Sequence, residues 1–138
     1  MKIYLDNCAL QRPLDDKSQI RIRLEAEAIL SLIAMLKADK FELISSEMLD
    51  YELEKTPIKA RRDYGNAVLE MKSIRIDLNE EIENRAKSFI GLGIKPLDSL
   101  HLASSEAANS DYFCTCDDRF LRRAKSISNL RVKVVTPL

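Results

Sequence analysis

Apolar and polar positions fall in blocks along the chain, and the period changes from block to block. Ile3, Tyr4 and Leu5 form a short apolar run that ends on Asp6, the pattern of a strand covered on both faces, as in a parallel sheet. Between 18 and about 40 the spacing becomes helical. Ile22, Ala26, Ile29, Ile33 and Leu36 form one stripe, and Leu24, Ala28, Leu32 and Met35 adjoin it. So wide an apolar face suits a buried helix or one shared with a second subunit, and burial is the expectation here. A second short strand is predicted at 41–44, after which Ser45 or Ser46 caps a helix bearing Glu47, Leu49, Glu52 and Leu53. Thr56-Pro57 stops that helix, because proline disfavours helical geometry in the residue before it.

The second half repeats the alternation. The pattern predicts a polar helix at 58–71, a strand at 73–77, and a helix at 79–90 whose Glu80 and Glu81 suit its positive end. Gly91 and Gly93 break the chain. Pro96 opens a helix to about 109, where Leu100, Ala103 and Ala107 make a small-residue face for close approach to a sheet. A strand at 111–115 follows. Thr115 is placed to cap a helix starting at Cys116 or Asp117, with Asp118 in a capping-box position and Arg122, Arg123 and Lys125 toward the negative end. A strand at 132–135 closes the series. Strands alternating with helices predict an α/β layer architecture with a mostly parallel sheet, in which ligands sit beyond the carboxyl ends of the strands.

Bulk properties narrow the class. A chain of 138 residues, 46% hydrophobic and without internal repeat or linker, suits one domain over 1–138. The 22 basic side chains balance 22 acidic ones, so a polyanion has to be met by local charge rather than by net attraction. The opening MKIYLDNCAL lacks the apolar run of a secretion signal, and no stretch approaches the ~18 apolar residues of a spanning helix. A soluble, cytoplasmic protein without a membrane partner is expected. Cys8, Cys114 and Cys116 are odd in number and match neither a disulfide framework nor a four-ligand zinc site, so they are read as reduced thiols.

Chemistry gathers at the expected sheet edge. Asp6 follows the first strand, Asp117 follows the strand ending at Thr115, Asp98 lies in the first turn of its helix, and Glu52 lies on the helix after the second strand. Four carboxylates brought together there cannot all stay ionised unaided, because like charges and burial both raise a carboxyl pKa. A hard divalent cation resolves the conflict. It would activate a water and neutralise charge on a phosphate, which points to phosphodiester hydrolysis.

The segments around these acids carry a family resemblance. IYLDNCALQRPLDD, SSEMLDYELEK, KPLDSLHLASSEA and FCTCDDRFLRRA stand in order, each in its expected strand or helix setting, and together resemble the PIN-domain family of VapC-like ribonucleases across nearly the whole chain. The resemblance implies a three-layer α/β/α fold around a mostly parallel sheet of about five short strands. It implies an endoribonuclease using Mg²⁺ or Mn²⁺, with Asp6, Asp98, Asp117 and Glu52 as catalytic and metal-site carboxylates and Thr115 positioning phosphate or water. Asp117 is preferred to Asp118 because Phe120 completes a T-x-D-x-x-F spacing, while Asp118 has a capping role open to it. The family further implies RNA as substrate, a homodimer, and the toxin role of a toxin–antitoxin pair with an antitoxin protein as partner. After Asp6 the chain departs from the small hydroxyl residue followed by Ser or Asn that many members carry: it has Asn7 and Cys8.

Other residues divide between two readings. Asp15 and Asp16 are helix-start acids or neighbours of the site. His101, the only histidine, sits one turn after Asp98 and is a general base or a hydrogen-bonded structural residue; the structural reading is favoured because a metal-activated water needs no histidine. Basic residues cluster at Arg119, Arg122, Arg123, Lys125, Arg131 and Lys133, and again at Lys55, Lys59, Arg61 and Arg62. Arg12, close after Asp6, is the first candidate for a phosphate contact, with Arg119 as another. Two alternatives stand beside the nuclease: a catalytically silent PIN-type module that binds RNA or protein, and an Asp-centred phosphatase. The phosphatase would want an acid where Cys8 stands, and no glycine-rich phosphate loop exists.

Overall fold

The apolar run at the start of the chain becomes the middle strand of a sheet. In the computed structural model, which describes residues 1–71 and 73–138, β1 (Lys2–Leu5) is flanked on both sides, and Ile3, Tyr4 and Leu5 are buried. From β1 the chain runs through α1 (Asn7–Gln11), a 3-10 turn (Arg12–Leu14) and α2 (Ile20–Lys37) to β2 (Glu42–Ser46). It continues through α3 (Glu47–Lys55) and α4 (Lys59–Leu69) to β3 (Ser73–Ile76). Then α5 (Glu80–Gly91) and α6 (Pro96–Ala107) lead to β4 (Tyr112–Cys114), and α7 (Asp118–Lys125) leads to β5 (Lys133–Val135).

The five strands lie in the order β3-β2-β1-β4-β5, and every neighbouring pair is parallel. Tyr4 is in register with Ile44 on one side and Phe113 on the other. The chain therefore steps outward from β1 to β2 and β3, then crosses back to build β4 and β5 on the opposite side. The reversal falls between β1 and β4, and a parallel sheet opens a crevice at the carboxyl ends of the strands at such a point. Asp6 and Thr115 follow those two strands directly.

Local chemistry explains several boundaries. Ser46 accepts the Leu49 N–H at 3.1 Å and caps α3. Asn79 does the same for α5, accepting from Ile82 at 2.9 Å. Gly93 takes φ of +95°, a left-handed conformation that turns the chain toward Pro96 at the head of α6 and so sets where Asp98 begins its turn.

Three expectations need correction. The cap of α7 is Asp117, whose side chain accepts the N–H groups of Arg119 and Phe120; Thr115 lies too far back and instead accepts the Asp117 N–H at 3.1 Å. On α2, Ala26, Ile29, Ile33 and Leu36 are buried, but Leu24 and Met35 of the adjoining stripe are exposed, as is Leu30, because only one side of the helix faces the core. A short helix, α1, stands where none was foreseen: five residues make little more than one turn, too few for a period to be seen. Among the described residues no helix is long and apolar enough to cross a membrane.

Candidate active site

Asp6 is set by the end of β1. Its backbone N–H donates to the Cys114 carbonyl at 3.2 Å, the last rung toward β4, and its side chain then caps α1. Oδ1 accepts the Ala9 N–H at 3.0 Å and the Cys8 thiol at 3.0 Å. Burial pushes the Asp6 carboxyl above its ordinary range, opposed by the Thr115 hydroxyl, the Cys8 thiol and the Ala9 N–H. Thr115 is fully buried and holds this end of β4 against Asp6. The Cys8 thiol is itself pushed well above its usual value by desolvation and then by the Asp6 charge, so it stays protonated and acts as a donor.

Asp98 occupies the first turn of α6 and is half-buried. Its carboxyl is raised by burial first, then by the charge of Asp6, with Asp117 and Glu52 adding. Asp6, Glu52 and Asp117, each from a different element, thus lie within electrostatic reach of Asp98. Asp117 is exposed, and both of its capping bonds, to Arg119 at 3.0 Å and Phe120 at 3.1 Å, fall on Oδ1. Asp118 does not share this role. It turns to α2 and accepts two 2.6 Å bonds from the Arg21 guanidinium, which holds its carboxyl below the usual range.

Glu52 projects from α3, partly exposed, and its Oε1 is hydrogen-bonded to His101 Nε2. His101 is buried, and its Nδ1 lies 2.5 Å from the Tyr4 hydroxyl, which in turn lies 2.7 Å from Ser46 Oγ. The hydrogen-bonded reading of this histidine is the one its surroundings match. Beneath it, Tyr4 stacks on Phe113 with centroids 5.1 Å apart, and Phe113 meets Phe120 at 5.2 Å. This aromatic ladder gives the polar edge a rigid floor.

The donor set is all oxygen and suits a hard cation. Among the described residues no three His, Cys, Asp or Glu side chains stand as a ready cation cage. Mg²⁺ does not require one, since it takes one or two carboxylates and completes its shell with waters and substrate phosphate. The residues present fit that mode of binding.

Positive charge is distributed differently from the sequence expectation. Arg12 is engaged by Asp15 at 2.9 Å and lies 3.3 Å from the buried Glu25, so its guanidinium is held within the protein by two carboxylates. In the second basic group, Arg61 bonds Asp15 at 2.8 Å, Lys59 pairs with Asp63 at 2.5 Å, and Arg62 donates to the Thr56 carbonyl at 2.7 Å. Neither Asp15 nor Asp16 is a helix-start acid, since α2 begins at Ile20 with no acid in its first turn: Asp15 ties Arg12 to Arg61, and Asp16 accepts the Ser18 N–H at 2.8 Å. Arg119, by contrast, lines one small pocket with Asp98 and Asp117, joined by Lys95 and Arg123. Lys95 escaped the sequence reading, although its place three residues before Asp98 was a usable signal. Tyr4 and Ser46 escaped it too, since an apolar strand position and a helix cap gave no hint of a shared network.

None of the curated proteins matches the chain by sequence. Solved structures do match it in fold. VapBC2 from Rickettsia felis, bound to a DNA fragment from its promoter, superposes with a TM-score of 0.66 at 14% identity, covering 99% of this chain and 98% of that one. VapBC-1 from nontypeable Haemophilus influenzae gives 0.63 at 13% identity, covering 99% and 98%. FitAcB from Neisseria gonorrhoeae gives 0.60 at 14% identity, covering 98% and 97%. The model of the PIN domain matches residues 3–126, from β1 to the end of α7, and with all four acids inside that span the chain belongs to the PIN-domain family.

Proposed function

We propose that the protein is a metal-dependent endoribonuclease that hydrolyses RNA phosphodiester bonds in the cleft at the β1/β4 reversal. The observation that carries this reading is the setting of Asp98: raised by burial, it is raised further by the charges of Asp6, Asp117 and Glu52, a liability that a cation would relieve. Asp6, Asp98, Asp117 and Glu52 are the carboxylates from which Mg²⁺ or Mn²⁺ would draw its one or two direct protein ligands, the others acting through water. When bound, the ion supplies Lewis-acid chemistry, lowering the pKa of water and offsetting phosphate charge. Thr115 fixes Asp6 and positions phosphate or water beside it. Arg119, with Lys95 and Arg123, takes the phosphate contact for which the sequence also nominated Arg12, because Arg12 is already engaged by Asp15 and Glu25.

The biological role proposed is that of the toxin of a toxin–antitoxin pair, working in the cytoplasm as a homodimer with an antitoxin protein as partner. The likeness in fold to VapBC2, VapBC-1 and FitAcB supports it, as do the exposed Ile20, Leu24, Leu30 and Met35 on α2, which leave apolar area for a protein partner.

The test is cleavage of a broad RNA pool with Mg²⁺ or Mn²⁺ against chelator, using wild type and Asp98→Asn. Cleavage by wild type only with metal, reduced about 100-fold or more by the substitution, is the expected result. Metal-independent cutting, or an undiminished Asp98→Asn enzyme, overturns the mechanism. A wild type that cuts no RNA favours the catalytically silent binding module.

A further inference from the structure

We propose that His101 is a positioning residue for Glu52, tying this acid to the centre of the sheet through a directed chain of hydrogen bonds that runs Ser46, Tyr4, His101, Glu52. The inference rests on the nuclease reading above, with Glu52 as one of its carboxylates.

The direction of the chain follows from donor accounting. An ionised Glu52 only accepts, so His101 Nε2 carries the proton of that bond. Nδ1 of the neutral ring is then an acceptor, and the Tyr4 hydroxyl, 2.5 Å away, donates to it. The Tyr4 oxygen accepts from the Ser46 hydroxyl at 2.7 Å, and Ser46 Oγ accepts the Leu49 N–H at 3.1 Å. Every buried polar atom of the chain is satisfied in this one sense. Reversal would turn the Tyr4 proton toward Ser46, whose own hydroxyl proton would then lose its acceptor.

A histidine serving packing alone needs any buried acceptor; this one reaches out to a partly exposed acid at the rim of the cleft. Glu52 has three side-chain torsions and would otherwise sample many rotamers, freedom that a cation fixing it would have to take away. His101 fixes Oε1 in advance and leaves the other oxygen to serve a ligand. The anchor itself is stiff: Tyr4 lies in the central strand and stacks at 14° on Phe113 of the next.

The experiment measures Mn²⁺ affinity by electron paramagnetic resonance, alongside RNA cleavage and Tm, on the full chain. His101→Gln keeps a donor near the place of Nε2, His101→Leu removes it, and Tyr4→Phe removes only the hydroxyl behind the ring. His101→Leu should weaken Mn²⁺ binding about tenfold or more, the scale on which groups supporting a metal ligand act, and His101→Gln should stay within about threefold of wild type. Tyr4→Phe should weaken binding about threefold, a hydrogen bond's worth, and lower Tm by a few degrees because His101 Nδ1 and the Ser46 hydroxyl lose their buried partner. In a Glu52→Gln background neither His101→Leu nor Tyr4→Phe should cost more than about twofold, since all act through one carboxylate. Penalties that multiply in the double variants overturn the proposal. So do unchanged Mn²⁺ binding in Tyr4→Phe or His101→Leu, a His101→Gln as impaired as His101→Leu, or a wild type that binds no Mn²⁺. If His101→Leu does not fold, the Gln and Phe variants decide. Mn²⁺ binding that follows these expectations without any RNA cleavage overturns the nuclease reading and leaves the positioning role standing.

Discussion

The Cys8 thiol donates to Oδ1 of Asp6 at 3.0 Å, on the same oxygen that accepts the Ala9 N–H. Asp6 is thereby locked on one oxygen, with Thr115 adding a third stabilising contact to its carboxylate. A neutral hydrogen bond of this kind is worth about 1 kcal/mol, or roughly fivefold in a rate that depends on it. Cys8→Ala is expected to lower kcat about three- to tenfold at saturating Mn²⁺, whereas Cys8→Ser, which keeps a donor, should match or exceed wild type. A Cys8→Ala enzyme as active as wild type would show that the thiol does not support Asp6.

Asp117 and Asp118 are adjacent, and the structure gives them separate work. Asp117 lines the pocket with Asp98 and Arg119, while Asp118 forms a bidentate pair with Arg21 away from it. Asp118→Asn should therefore leave cleavage within about twofold, because exposed ion pairs contribute little, and Asp117→Asn should lower it about 100-fold. The measurement is kcat/KM on one RNA for both variants. Equal losses, or the greater loss at Asp118, would reverse the assignment.

The same pair marks how far the sequence could be read. Strand and helix order was legible because the apolar runs of β1, β2 and β4 and the helical stripes of α2, α5 and α6 were long enough to declare their period. Asp6, Asp98 and Asp117 stood out because each follows a strand or opens a helix, and Glu52 stood out only by its spacing from Ser46 within α3. What the sequence hid was partnership. Thr115 was credited with a cap that Asp117 makes and Asp118 with a supporting place in it, since all three stand close to the helix start and only the backbone geometry at Asp117, φ −90° and ψ 106°, marks the cap. Arg12 was open to phosphate until Glu25, thirteen positions away in a stripe read for its apolar residues alone, proved to be buried against it. His101 was readable as structural, yet not as a link between Glu52 and the central strand, because that link joins residues 42, 49 and 97 positions apart.

Gly65 marks the closest approach of α4 to its neighbours. A Cβ there would meet Leu53 Cδ2 at 2.5 Å and Gln11 Nε2 at 3.0 Å, and Leu53 is buried in the core at the base of the helix that bears Glu52. Overpacking of this sort typically costs about 1–3 kcal/mol and exceeds the gain in helix propensity of about 1 kcal/mol from replacing glycine. Gly65→Ala is expected to lower Tm by several degrees in thermal denaturation, with cleavage following the folded fraction. A Tm equal to or above that of wild type would mean that Leu53 and Gln11 yield freely.

Asp98 supplies a test of the cleft that needs no substrate. Its carboxyl is raised in the folded protein by burial and by the neighbouring acids, above the value of about 3.9 expected of the unfolded chain. The folded state therefore binds the proton more tightly than the unfolded state does. Above the folded pKa the ionised group penalises folding in full, and the penalty fades as pH falls through that pKa and vanishes below about 3.9, where both states are protonated. Asp98→Asn carries no such charge. In chelator the variant should be more stable than wild type at pH 7, and the gap in Tm should close steadily on acidification toward pH 4. Added Mg²⁺ should raise wild type and leave Asp98→Asn nearly unmoved, because a ligand stabilises only the state that binds it. A gap that stayed constant with pH, or a variant less stable than wild type at pH 7 without metal, would mean that the acids at the β1/β4 reversal do not strain one another, and the case for a cation there would lose its physical ground.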